Sequence, residues 1–423
     1  MAKTITVREY ESFVCDKSIP GYISLSESTF KTLEEFILAN NSADTDVLEF
    51  MGISVKKGIG KVITAKNYVG VISMNDGTTI EILPKIYSDR DNVSEAKKLL
   101  IKMLRTLRTA PYKTMQQSSV SIDRLSIFEI FVRMFLDEVF TIVKHGLKCN
   151  YESIQDNLAV FKGKMLFSKH IKYNAVHKEK FFVEYDEFNT NRAENRILKS
   201  TLLYLYKKTA SNKNKNDIRT LLNSFSSVDE SINYNDDFTK CIPDRNMKGY
   251  TTALLWSKVF LQGKSFTSFS GSNVAFALLF PMETLFESYV ASLIKKELQG
   301  TNYSFSAQDK GYHLFDYPKR FMLRPDIVIK SKTENKAFVM DTKWKVLSES
   351  KANAGISQAD MYQMYAYQKK YNAENVTLIY PKTAENLDES KLSFKSDDGV
   401  TVTVKFVDLY DITSVSSIIK TII

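Results

Sequence analysis

Three residues of the segment "RPDIVIKSKTENKAFVMDTKWK", residues 324–345, can do chemistry together: Asp326, Asp341 and Lys343. The segment reads as two short apolar strands joined by a polar turn, and each strand carries an aspartate among Val, Ile, Phe and Met. Carboxylates are depleted in strands and costly to bury without a partner. A turn centred between Thr333 and Glu334 sets Asp326 opposite Asp341, and opposed residues of antiparallel strands lie about 5 Å apart. Like charges at that range are unfavourable unless one is protonated or a cation bridges them. Side chains alternate along a strand, so Lys343 projects to the face of Asp341. Two acids and a lysine on one face form a hard-cation site beside a cationic donor. Mg²⁺ takes one or two carboxylates together with water and phosphate oxygens, so Asp326 and Asp341 are the expected metal ligands. The expected chemistry is attack of water on phosphorus, with Lys343 orienting the water or offsetting charge on the pentacovalent species.

The flanking helical segments add candidates. Glu287, in "METLFESYV", is either a third carboxylate for the metal or a surface acid of an amphipathic helix. Gln363 and Tyr367 are four residues apart and so share a helix face. They either support the lysine and a metal-bound phosphate or belong to a half-exposed, tyrosine-rich helix.

These residues sit in the last of three regions. Residues 1–120 read as a β-rich α+β module: 58–85 alternates apolar and polar residues as about three strands, punctuated by Lys66-Asn67 and an Asn-Asp-Gly turn at 75–77, and "EAKKLLIKMLRTL" is helical. The first forty-odd residues show no pattern. Residues 121–270 are a helical and β middle region. In it, "RLSIFEIFVRMFLDEVFTIVKHGLK" is an amphipathic helix that stops at Gly146, "NTNRAENRILKSTLLYLYKKTA" is a second helix, and 208–248 reads as a helix pair. Residues 271–423 alternate as helix, three strands (near 304–307, 322–329 and 337–344), helix, strand, strand. The fold class is therefore a multi-domain α+β protein ending in a mixed α/β domain.

Length and composition bound the function. A chain of 423 residues with 43% hydrophobic and 12% aromatic content builds packed cores in more than one domain. No stretch approaches the ~20 uninterrupted apolar residues of a membrane span, and the charged N-terminus has no signal-peptide pattern. Cys15, Cys149 and Cys241 are odd in number and far apart, which fits a reducing cytoplasm and excludes a clustered cysteine zinc site. Scattered His145, His170, His177 and His313 argue against a histidine metal site. Lys and Arg exceed Asp and Glu by 58 to 49, a modest excess that suits a polyanion without requiring one. In "FKGKMLFSKHIKYNAVHKEK", Lys162, Lys164, Lys169, Lys172, Lys178 and Lys180 interleave with Phe161, Phe167 and Tyr173, and Phe181 follows. That run either tracks phosphates, docks on an acidic partner, or is a solvated face. Asn191, Arg192, Asn195 and Arg196 either face a partner's nucleotide or cap a helix. Trp256 and Trp344 are expected core residues. There is no G-x-x-x-x-G-K-[ST] phosphate loop; "GIGKVITA" at Gly58 is too short in spacing and lies in a strand meander.

The last region resembles the PD-(D/E)XK nuclease superfamily. Pro325-Asp326 is similar to its first element and Asp341-Thr342-Lys343 to its second, with Asp where Glu often stands. "QMYAY", residues 363–367, is similar to the Gln-X-X-X-Tyr helix motif of the RecB-like branch. Over about residues 45–410, "TTIEILPKI", "FKGKMLFSKHI", "NRAENRILKSTL", "METLFESYV", "RPDIVI", "VMDTKWK" and "DMYQMYAY" follow the order of the McrC family. These are the nuclease subunits of McrBC-type, modification-dependent restriction systems.

The resemblance implies a Mg²⁺-dependent endodeoxyribonuclease cutting double-stranded, methylcytosine-containing DNA. It implies an McrB-like hexameric AAA+ GTPase as partner, which binds the GTP and whose hydrolysis this chain stimulates. It further implies that the N-terminal half engages the ring and the C-terminal domain, 271–423, cleaves. Two other readings stay open: a stand-alone nuclease of the same superfamily, and a ring-binding GTPase activator that does not cut. Whether the nuclease domain dimerises is also open.

Overall fold

The computed structural model describes residues 3–40, 50–74, 76–85, 92–107, 126–176, 178–241, 248–262, 275–383, 387–411 and 413–422. Asn75 of the expected turn, His177 and the Arg124 start of the expected middle helix lie outside them. The chain forms two compact units, Met1–Ile127 together with Ser265–Ile423, and Phe128–Lys264. Among the described residues no helix is long and apolar enough to cross a membrane.

The first unit begins with β1 (Thr4–Arg8), β2 (Ser12–Cys15), β3 (Ile23–Leu25) and α1 (Glu27–Asn40). β4 (Met51–Lys56) follows, then the meander expected over 58–85: β5 (Gly60–Ala65), β6 (Tyr68–Met74) and β7 (Thr79–Leu83). β3-β2-β5-β4 form one sheet. Phe13, Leu33, Phe36, Ile63, Ile72 and Ile80 share a buried core beneath α1. α2 (Val93–Leu104) starts where the Asn92 side chain accepts from Glu95 N, satisfying an otherwise orphaned donor.

The second unit contains most of α3 (Ile127–Lys144), then β8 (Asn150–Leu158), β9 (Lys164–Met165), α4 (Phe167–Asn174), β10 (Phe181–Asn189), α5 (Ala193–Lys208), α6 (Asn212–Ser224), α7 (Tyr234–Lys240) and α8 (Lys248–Gln262). α3 ends as expected at Gly146, whose φ of 85° a side chain would resist. Trp256, a core residue as expected, packs with Phe131 and Phe260 at centroid distances of 5.7 and 5.6 Å. β8 and β10 pair over nine residues, with β9 on the other edge of β10.

The chain returns to the first unit through β11 (Ala275–Pro281), which leads into α9 (Met282–Glu297), β12 (Tyr303–Ala307), β13 (His313–Asp316), β14 (Lys319–Met322), β15 (Ile327–Ser331) and β16 (Ala337–Thr342). α10 (Gln358–Tyr371), β17 (Asn375–Pro381), β18 (Ser393–Lys395), β19 (Thr401–Val407) and α11 (Thr413–Ile422) complete it. β11 completes the sheet β1-β7-β6-β11, so early and late parts of the chain share one sheet. Gly70 permits this: its φ is 139°, and a Cβ there would meet the Leu278 carbonyl oxygen at 2.0 Å. Gly70→Ala is therefore expected to destabilise the first unit by about 3 kcal/mol; an unchanged denaturant midpoint would contradict this packing.

The site is carried by the six-stranded sheet β12-β15-β16-β17-β19-β18. Its strands β16, β17 and β19 run parallel, and β16 and β17 are buried almost throughout, as strands covered on both faces are. α10 packs over them through Met364, Tyr367 and Tyr371. The strand expected over 322–329 is two separate elements. β14 ends at Met322, and β15 begins only after Pro325, which has no N–H to give a ladder.

Candidate active site

The β15–β16 hairpin has the register read from the turn: Ile327 lies opposite Met340 and Val328 opposite Val339. One step beyond the ladder this sets Asp326 against Asp341. Asp341 is 1% exposed at the end of β16. Asp326 is half-buried, and its Oδ2 accepts from Thr342 N at 2.8 Å and Thr342 Oγ1 at 2.7 Å. Lys343 continues the line of β16 by donating its backbone N–H to Ile379 O at 2.9 Å. Its Nζ lies 2.6 Å from Asp341 Oδ2, 3.2 Å from Gln363 Oε1 and 3.7 Å from Asp360 Oδ1. Gln363 in turn donates through Nε2 to the Tyr367 hydroxyl at 2.7 Å, so α10 holds the lysine through a two-residue relay.

Asp326, Asp341, Lys343, Gln363 and Glu287 line one cavity of about 350 Å³. The structure thus brings together five of the six expected site residues, and the sixth, Tyr367, is buried behind Gln363. Glu287 faces the cavity rather than solvent, but its carboxylate is bound by Gln308 Nε2, which also reaches Asp326 Oδ1 at 3.4 Å.

Electrostatics follow from burial. Desolvation raises the Asp341 carboxyl well above the ordinary range, the Asp326 charge adds to this, and Lys343 opposes it. Asp326 is raised by burial and by Glu287, against the Thr342 hydrogen bonds and Lys343. Burial alone would lower Lys343; Asp341, Asp360 and Asp326 outweigh it and keep the ammonium charged. Burial likewise raises the Tyr367 phenol, with the Asp341 charge, so it stays protonated.

Two side chains of the site escaped the sequence reading. Asp360 opposes its own burial by accepting from Ser357 and pairs with Lys345 at 3.2 Å. Its signal was available, because it precedes Gln363 by three residues on the same helix face. Gln308 carried no signal: it follows β12 with a left-handed φ of 52° and donates its backbone N–H to Asp326 O at 2.8 Å.

A divalent cation suits this donor set. Asp341 Oδ2 is buried and meets the Lys343 ammonium at 2.6 Å. Among the described residues no group of three His, Cys, Asp or Glu side chains is placed to hold a metal. The two aspartates nevertheless supply the carboxylate count that Mg²⁺ takes beside water and phosphate.

Elsewhere, the Asn191–Arg196 segment neither caps α5 nor projects free arginines. Arg192 occupies the cap position without a side-chain capping bond. Arg192 binds Glu194 and Arg196 binds Asp237 at 2.6 Å, while Asn195 is fully buried and donates to Lys148 O and Thr190 O.

Residues 63–381 match the family model described as McrBC 5-methylcytosine restriction system component. In fold the chain is similar, over 100% of both chains and at 17% identity and a TM-score of 0.72, to a chain from Thermococcus gammatolerans described as a half-complex from a tetradecameric assembly of McrB AAA+ hexamers with bound McrC. A chain of the Thermococcus gammatolerans McrBC complex matches 70% of this chain and 88% of itself, at 18% identity and a TM-score of 0.51. No curated protein sequence matches.

Proposed function

The chain belongs to the family of McrBC 5-methylcytosine restriction system components, and from that premise we propose that it is the nuclease subunit: a Mg²⁺-dependent endonuclease of the PD-(D/E)XK type that cuts methylcytosine-containing DNA together with an McrB-type AAA+ GTPase and stimulates that partner's GTP hydrolysis. The convergence of Asp326, Asp341 and Lys343 in one cavity carries this reading.

Asp326 and Asp341 would hold the metal, which when bound supplies Lewis-acid polarisation of the phosphate and acidification of water. Thr342 fixes the Asp326 carboxylate through two hydrogen bonds, so that side chain is oriented before the metal arrives. Lys343 Nζ directs the attacking water and offsets the negative charge that grows on phosphorus as the water oxygen bonds to it and the ester oxygen leaves. Gln363 fixes the ammonium and Tyr367 fixes Gln363. Glu287, turned to Gln308, sets the position of Asp326 from behind.

Partner docking is assigned to the second unit. Phe167 and Ile171, each 69% exposed, lie four apart on α4 and so share a face, and Phe161, Tyr173 and Val176 of the same segment are exposed too. Lys162 and Lys169 sit over the Tyr185 and Phe182 rings at 3.8 and 5.4 Å. Large apolar side chains left exposed among lysines suit a protein interface, and the lysines suit an acidic ring surface. Phe167→Ala with Ile171→Ala should lower stimulation of the partner's GTP hydrolysis at least about tenfold without changing the melting temperature; undiminished stimulation would exclude this face.

The reading as a whole is tested by incubating the chain with methylated or unmethylated plasmid in Mg²⁺, with and without an McrB-type partner and GTP. Cleavage of methylated plasmid only, requiring partner and GTP, is expected. Cleavage by the chain alone would instead establish a stand-alone nuclease, and stimulated GTP hydrolysis without cleavage a non-cutting activator.

A further inference from the structure

A second cavity, of about 330 Å³, shares Trp344 and Lys345 with the carboxylate cleft. Lys85, Lys345, Lys351 and Lys382 line it, and no acidic residue among the described ones does. Ammonium groups gathered round one cavity repel one another, and the ligand that relieves them is an anion. Lys345 is partly neutralised by Asp360 at 3.2 Å, while Lys351 and Lys382 are exposed.

The walls are built rather than accidental. Glu9, fully buried, accepts from Trp344 Nε1 at 3.2 Å through one oxygen and from the Lys85 backbone N–H at 2.9 Å through the other. One carboxyl group therefore fixes the aromatic partition between the two cavities and the start of the lysine wall. Tyr10, next in the chain, lines the cavity with a ring 52% exposed and a left-handed φ of 65°. A bulky residue keeps that conformation only where its surroundings impose it; here Tyr10 N donates to Ala65 O at 2.9 Å. Lys351 and Gly355 also line the cavity, and the turn between them contains Ala354 at a φ of 55°, tied back by Ser348 N donating to Ala354 O at 3.0 Å. Strained backbone at two segments that line or adjoin a cationic cavity next to the carboxylate cleft is the arrangement expected of a ligand subsite.

We propose that this cavity binds phosphates of the DNA strand that continues from the scissile phosphodiester, with Lys85, Lys351 and Lys382 on phosphate oxygens and the Tyr10 ring against a base or sugar. The proposal rests on the nuclease reading and extends it by placing the strand across Trp344.

The test compares a partner complex carrying Asp341→Asn, which binds without cutting, with the same complex also carrying Lys351→Ala and Lys382→Ala. Both lysines are exposed, so the fold should be retained. The expected result is weaker DNA binding and a slope of log K against log salt shallower by about 2, one unit for each phosphate contact removed. Tyr10→Ala should weaken binding with the salt slope unchanged, because stacking carries no counterion release. Equal affinity and equal slope for the lysine variant, while the unaltered parent chain cuts, would overturn the subsite and leave the nuclease reading standing. A parent chain that shows the lysine-dependent slope yet never cuts would overturn the nuclease reading and leave the subsite.

Discussion

Asp341→Asn is expected to lower DNA cleavage by about three orders of magnitude or more without destabilising the metal-free protein. The first half follows from the metal: several kcal/mol of transition-state charge stabilisation pass through its ligands, and each 1.36 kcal/mol is about tenfold in rate. The second half follows from the folded-state pKa. Burial and Asp326 raise the Asp341 carboxyl above its unfolded value. The folded state therefore binds more protons than the unfolded chain between the ordinary carboxylate pKa and the raised one, and stability falls as pH rises through that window. Below the window both states are protonated and the cost vanishes; above it the cost is complete. Asparagine keeps the shape and removes the charge, so the metal-free variant should melt no lower than the parent at neutral pH, and the two should converge near pH 4. Mg²⁺ should raise the melting temperature of the parent and not of the variant. A variant that melts well below the parent at neutral pH, without metal, would show that Asp341 is a structural acid and not a poised ligand.

Lys343→Met should lower the cleavage rate by about two to three orders of magnitude, the range for a positioned donor or proton-transfer group, while Mg²⁺ still raises the melting temperature. The ammonium is held by Asp341, Gln363 and Asp360, none of which needs it in order to bind metal. Methionine leaves Asp341 without its ion pair, so the metal-free variant should lose stability at neutral pH and recover it as acid protonates the carboxylate. The separation of effects is the diagnostic, since cleavage is lost while metal-linked stabilisation is kept. Loss of both together would make Lys343 part of the metal site's architecture and not a group acting on the reacting water.

The contrast between what the sequence disclosed and what it hid has a physical cause. The Asp326–Asp341 opposition was legible because a hairpin's register is set locally, by its turn and by alternation of side chains. Gln363 and Tyr367 were legible through helical spacing, and so, in retrospect, was Asp360. Gln308 was not, because its place depends on how β12 pairs with β15 and on a left-handed backbone that no residue type announces. The pairing of β11 with β6 is equally non-local: alternation marks a strand but does not name its neighbour. Of the first forty residues, β3 has three and β2 four, too few for a period to emerge, although the fourteen-residue α1 was long enough to be read. Yet it is from that stretch that Glu9 reaches Trp344, beside Lys343.

The most direct test is single-turnover cleavage of a methylated duplex by the chain preassembled with an McrB-type partner and GTP, in Mg²⁺ and then in chelator, for the parent and Asp341→Asn. Cutting by the parent alone, in Mg²⁺ alone, with GTP hydrolysis undiminished in the variant, is the predicted result. Equal cutting by the variant would show that the chemistry lies elsewhere than in the β15–β16 carboxylate pair.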